Sequence, residues 1–178
     1  MKNGEMTVKL ISAMELLPEL LRKKNIWKSV YIDYNTPIVE RMYTDIEDPD
    51  VRISLHKIHK CEDGKAFFHP HPWPSAMFLL SGLYKMDVGY GKGIEDPEVS
   101  HTIYLNADSF YEMINPDAWH SVRPIRNSFT IMVSGKPWNR DMPKTPERRL
   151  PELTPKRMEE MLVSFRTLLE RTEIPSSL

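Results

Sequence analysis

The sequence predicts an all-β fold, a barrel or sandwich, with an α-helix flanking it at each end. Two patterns carry that reading. From about residue 26 to 135 the chain is a dense series of short runs rich in β-branched and aromatic residues, broken by Gly, Pro, Asn and Asp, with no helical period between them. Outside that stretch, at both ends, apolar residues recur at helical spacing. The length of 178 residues suits one domain. It divides into an N-terminal helical flank (1–25), a β-barrel core (26–135), a Pro-rich linker (136–153) and a C-terminal helix (154–171).

Each element has its own local warrant. Ser12 and Glu15 have the spacing of a capping box, and "SAMELLPELLRKKN" puts Leu16, Leu17, Leu20 and Leu21 on one stripe with basic residues in the last turn. Pro18 kinks this helix or restarts it, and Asn25 ends it. The strands are expected at "VYIDY", "VERMYTDI", "VRISLHKIH", "AMFLLSGLYKMDVGY", "HTIYL", "SFYEMI", "WHSVRPI" and "SFTIMVSG". Ser81-Gly82 interrupts the longest apolar run and marks a sharp bend or bulge, while "GYGKGIEDPE" has the composition of a loop. In the last segment Thr154 caps, Pro155 takes the first helical position, and Met158, Met161, Leu162, Phe165 and Leu169 form a packing stripe. That stripe is expected against the outside of a sheet or in a homodimer interface.

Composition excludes several classes. A formal net charge of -1 gives no basic surface for nucleic acid or an anionic membrane. The most basic stretch, Lys136 to Arg157, is proline-rich and reads as a solvated linker. No apolar run approaches the ~20 residues needed to span a bilayer. Glu5, Lys9 and Glu15 interrupt any signal-peptide core, and the lone Cys61 fits a reducing compartment, so a cytoplasmic protein is expected. No Gly-rich loop joins a strand to a helix, which leaves dinucleotide binding and phosphoryl transfer without support. Nor does any Ser or Cys have the setting of a nucleophile.

The six histidines carry the chemistry. In extended chain, residues two apart share a face, so His69 and His71 in "FFHPHPWPSAMFLLSG" can aim both imidazoles at one point. Their flanking prolines place the segment at a sheet edge and reduce the entropy lost in fixing the rings. A polyproline II conformation, with its period of three, would instead splay them apart. In "NPDAWHSV", His120 opens a β-branched run just after a Pro-Asp turn. Three neutral imidazoles from two elements suit a divalent transition metal. By parity with the pair, Phe67 faces the barrel interior, and Ser75, Met77 and Leu79 share a face that lines an apolar cavity. Trp73 is expected at the rim and Trp119 facing away. Val51, Ile53 and Leu55 share parity with His59, so periodicity turns His59 inward rather than His56. Glu112 is a candidate carboxylate ligand in a shifted register. Arg123 is a weak candidate for binding a substrate carboxylate, and His101 is expected in solvent.

Beyond these residues, the pattern resembles the cupin superfamily. Its first motif, H-x-H followed by Glu and Gly, is matched by His69-Pro70-His71, Ser75 in the Glu position, and Gly82. Its second is matched by Ala107-Asp108, the strand "SFYEMI", Asn115-Pro116-Asp117-Ala118 and His120. "LHKIHKCEDGKAFFHPHPW", "SGLYKM" and "FTIMVSGKPW" look like a bacterial and phage cupin-like group with a His-x-His-Pro-Trp motif and no assigned reaction. That likeness draws attention to His56. The resemblance implies a cupin-type double-stranded β-helix (jelly roll) holding a metal on His69, His71 and His120. Ser75 replaces the usual glutamate, leaving three histidines, as in thiol dioxygenases and some ring-cleaving cupins. It points to Fe(II) first, with Zn, Mn and Ni as alternatives, and to oxygen-dependent chemistry on a small organic acid or thiol. The alternatives are a non-enzymatic ligand-binding or assembly cupin and a metal-assisted isomerase.

Overall fold

Two long, bent strands organise the chain. The computed structural model describes residues 4–46, 50–140, 142 and 149–172. Helix α1 (Glu5–Leu20) is followed by β1 (Lys28–Ile32), β2 (Val39–Asp45), β3 (Arg52–Ile58), β4 (His69–Pro70), β5 (Ser75–Tyr90), β6 (Val99–Asn106), β7 (Phe110–Met113), β8 (Ala118–Ser134) and α2 (Pro155–Leu169). All strand pairs are antiparallel. The first half of β5 and the second half of β8 belong to one half-sheet, β1-β2-β3-β8-β5-β7. Their other halves belong to a second, β4-β8-β5-β6. This is the double-stranded, jelly-roll arrangement with helical flanks that the resemblance implies.

The corner between the half-sheets falls where the apolar run breaks, at Ser81-Gly82, and the β5–β8 register shifts there. Gly82 has φ +124, and a Cβ on it would lie 2.7 Å from the Cα of Ser128. No other residue fits that approach. The expected break is therefore a bend within one strand rather than a gap between two, and "WHSVRPI" and "SFTIMVSG" likewise fuse into β8.

The central strands of the first half-sheet, β3, β5 and β8, are buried on both faces. Ile53, Leu55, Ala76, Phe78, Leu80, Ile131 and Val133 point outward into a core shared with Met6, Leu10, Met14 and Leu17 of α1 and Met161, Leu162, Phe165 and Leu169 of α2. Residues of opposite parity, Ser54, His56, Ser75, Met77, Thr130 and Met132, are buried on the inner face. The stripe on α2 lies where its period places it, and the Thr154 hydroxyl accepts from the Arg157 N–H.

Helix α1 differs from the expectation. Ser12 lies mid-helix and caps nothing, Leu16 is exposed, and the helix begins seven residues earlier, at Glu5. Its cap comes from far along the chain. The Glu112 carboxylate accepts from the Gly4 N–H at 2.9 Å, the Thr7 N–H at 2.6 Å and the Thr7 hydroxyl at 2.8 Å. A local capping signal cannot reveal a partner 105 residues away. Much of the Pro-rich linker lies outside the described residues. No helix among those described is long and apolar enough to cross a membrane.

Candidate metal centre

Strand pairing brings the histidines together. His69 of β4 sits directly opposite His120 of β8 in the ladder, and the turn through Pro72 carries His71 back toward both. Ring centroids are 4.8 Å apart for His69 and His120, 4.7 Å for His71 and His120, and 5.6 Å for His69 and His71. One nitrogen from each ring can be chosen so that all three lie within 4.8 Å of one another.

Each of the other ring nitrogens has a partner. The Nδ1 of His69 donates to the Phe67 carbonyl at 3.1 Å, which can only accept. His71 Nδ1 is hydrogen-bonded to Ser75 Oγ at 3.0 Å, and His120 Nδ1 lies 3.3 Å from the Met86 sulfur, a weak acceptor. With protons on Nδ1, each Nε2 presents a lone pair. His71 Nε2 and His120 Nε2 are 3.0 Å apart. With both lone pairs facing inward the pair suits a cation between them; with a proton on either Nε2 it is a hydrogen bond. Ligand nitrogens at about 2.0–2.1 Å from one ion and at right angles lie ~2.9 Å apart. Three neutral imidazoles are, by their chemistry, a donor set for a divalent transition metal. Burial drives all three imidazoles below their ordinary pKa, His71 and His120 strongly, with the neighbouring histidines adding to the effect on those two.

A cavity of about 290 Å³ opens beside this cluster. Val39, Ile58, Met77, Val122 and Met132 give it apolar walls, Tyr111 and Arg41 reach it from β7 and β2, and Phe67 and Trp73 stand in its lining. Phe67 is stacked on His69, 5.2 Å between centroids and 2° between planes, with one side exposed. Tyr84 donates to the Tyr111 hydroxyl, which donates to the Met77 sulfur at 2.6 Å.

Several residues stand elsewhere than the sequence suggested. His56, not His59, faces the cavity. The run Val51-Ile53-Leu55 marks the helix-covered face, so sharing its parity sends His59 outward, to Glu40 Oε1 at 2.7 Å. Leu79 does face inward but is sealed in a cluster with Tyr84, Met86 and Val122 and does not line the cavity. Ser75, fully buried, stands behind His71 rather than in the cavity. Glu112 is turned away to α1. Trp119 is buried facing away, as parity requires, with its Nε1 donating to the Gly91 carbonyl. Arg123 pairs with Asp63, and His101 is exposed. Cys61 lies off the cavity, and burial raises its thiol pKa.

The residues that sequence reasoning missed are Arg41 and Tyr111. Arg41 Nε donates to His56 Nε2 at 2.8 Å, and His56 Nδ1 lies 3.2 Å from Thr130 Oγ1. The signal was present in "VERMYTD", where Arg41 alternates with the buried Glu40 and Met42. No parity argument tied that strand to the cavity.

The sequence matches no family model and no curated protein. Similar solved structures include Fe(II) HppE, 12% identical over 62% of this chain and 57% of that one, with a TM-score of 0.48. KdgF from Halomonas sp. is 10% identical over 60% of this chain and 87% of its own, with a TM-score of 0.43. An RmlC-like cupin from Shewanella frigidimarina is 12% identical over 62% and 86%, with a TM-score of 0.42. The likeness is one of sheet architecture and extends over about three fifths of this chain.

Proposed function

We propose that this protein binds one divalent transition metal, Fe(II) in its working form, through Nε2 of His69, His71 and His120, and oxidises a small organic acid or thiol with O2. The observation that carries the reading is the convergence of one ring nitrogen from each of three histidines, with the Nε2 atoms of His71 and His120 3.0 Å apart and their Nδ1 atoms on separate partners. When bound, such an ion supplies Lewis acidity and, as iron, one-electron chemistry toward O2.

The chain's own residues do the rest. The Phe67 carbonyl, Ser75 and Met86 hold the three rings in orientation. Three neutral ligands leave the ion's charge uncompensated, which favours an anionic substrate, and they leave coordination positions open. Val39, Ile58 and Met132 exclude water from the substrate's apolar part. No Cys or Ser lines the cavity among the described residues.

The test is anaerobic purification after iron supplementation, metal analysis, and oxygen uptake with a panel of small acids and thiols. About one iron per chain with substrate-dependent uptake is expected. Metal well below one per chain would remove the premise. Full turnover with Zn(II) would select the metal-assisted isomerase instead.

A further inference from the structure

We infer that Arg41 is the anchor for a substrate carboxylate, and that the ligand of this cavity is a small monocarboxylic acid whose apolar body lies along the cavity walls. For its metal-facing half this rests on the proposed metal centre; the Arg41 half stands on separate observations.

The first is a row of polar residues across three strands. Arg41 lies opposite His56 in the β2–β3 register, and His56 opposite Thr130 in the β3–β8 register. On the inner face they join in series, Thr130 Oγ1 to His56 Nδ1 and His56 Nε2 to Arg41 Nε. The row consumes the Nε–H of Arg41 and leaves the Nη1/Nη2 end. That end offers two parallel N–H groups, the fork that matches a carboxylate.

The second observation is charge. Arg41 makes no ion pair with a carboxylate among the described residues, and no Asp or Glu lines the cavity. The buried Glu40 and the partly buried Glu112 are committed to the helices, to Arg157 of α2 and to the start of α1, while Asp45 and Asp50, which share a second pocket with Arg41, pair with Arg52 and Lys136. A guanidinium half-buried in an apolar cavity, with no counter-ion among the described residues, leaves the anion to be supplied by a ligand. Room is limited. The cavity, about 290 Å³, is of a size for a small organic acid.

The probes are mandelate and its uncharged isostere mandelamide. Binding to the full-length chain is measured by calorimetry, both Co(II)-loaded and chelator-treated, with cobalt visible absorption as a second readout. Wild type is expected to bind mandelate at least about tenfold more tightly than mandelamide, as for a charged hydrogen-bonded pair. Arg41→Gln is expected to lose about tenfold on mandelate and nothing on mandelamide, with cobalt still at one per chain. Unchanged mandelate affinity in Arg41→Gln, or no preference for mandelate in wild type, would overturn the inference. Should Arg41→Gln fail to fold, Arg41→Lys decides. It keeps the charge and loses the fork, so a severalfold drop supports the assignment and no change overturns it. If cobalt does not load while the chelator-treated chain still prefers mandelate through Arg41, the proposed metal chemistry falls and the anion site stands.

Discussion

The two faces of the central strands of the first half-sheet are both buried by the chain, yet they are built from different chemistry. On the outer face β3, β5 and β8 present Ile53, Leu55, Ala76, Phe78, Leu80, Ile131 and Val133 to the two helices. One residue further along each strand, the inner face presents Ser54, His56, Ser75, Met77, Thr130 and Met132. The outer face is where stability resides, since it buries hydrocarbon with no polar group to satisfy. The inner face trades hydrocarbon for donors, acceptors and sulfur, and so holds the rings and leaves a cavity. Even the carboxylates follow the division: Glu40 and Glu112 both serve the helices, and none lines the cup among the described residues.

Substitutions on opposite faces should therefore separate metal binding from stability. The largest effect is expected from His120→Ala, which should take metal uptake from about one ion per chain to near zero while the helix-side core stays intact. Metal analysis beside a melting curve checks it. Phe165→Ala should do the reverse. It empties a fully buried site packed on Phe129 and should cost about 3–5 kcal/mol in denaturant unfolding with metal stoichiometry unchanged. Ser75→Ala removes the partner of His71 Nδ1 and should weaken metal affinity roughly tenfold, read by competition with a chelator. Glu112→Gln, the smallest, weakens the cap of α1 by about 1 kcal/mol and leaves metal affinity unchanged.

Acid should reach the helix side through the same carboxylates. Burial pushes Glu40 and Glu112 upward, but Arg157, His59 and Lys57 outweigh it for Glu40, and the Gly4 and Thr7 donors outweigh it for Glu112. Both carboxyls therefore sit below their unfolded value, ~4.3. The stability they add is complete above that value and is lost as pH falls through the folded one. Glu112→Gln should flatten this acid limb in a series of unfolding curves from about pH 6 to 3.

What the sequence showed, and what it hid, follows from the same two faces. The strands were legible because β-branched and aromatic runs between turn residues mark them whatever they face. The histidine trio was legible because two of its members are neighbours in sequence and the third follows a turn. His56 was singled out by the family likeness but missed by periodicity, because β3 is buried on both sides and its larger hydrophobes advertise the helix-covered face; Arg41 was missed altogether. The cap of α1 was hidden for another reason: its acceptor belongs to β7, and only the folded chain brings the two together.

The continuity of β5 and β8 has a mechanical outcome. Both strands run without a break from one half-sheet into the other, so the walls are two stretches of the same backbone and cannot swing apart like a clamshell. Opening would have to tear a ladder of hydrogen bonds that also supports the helices. The loop residues Thr36 and Trp73 that also line the cup lie outside that continuous ladder.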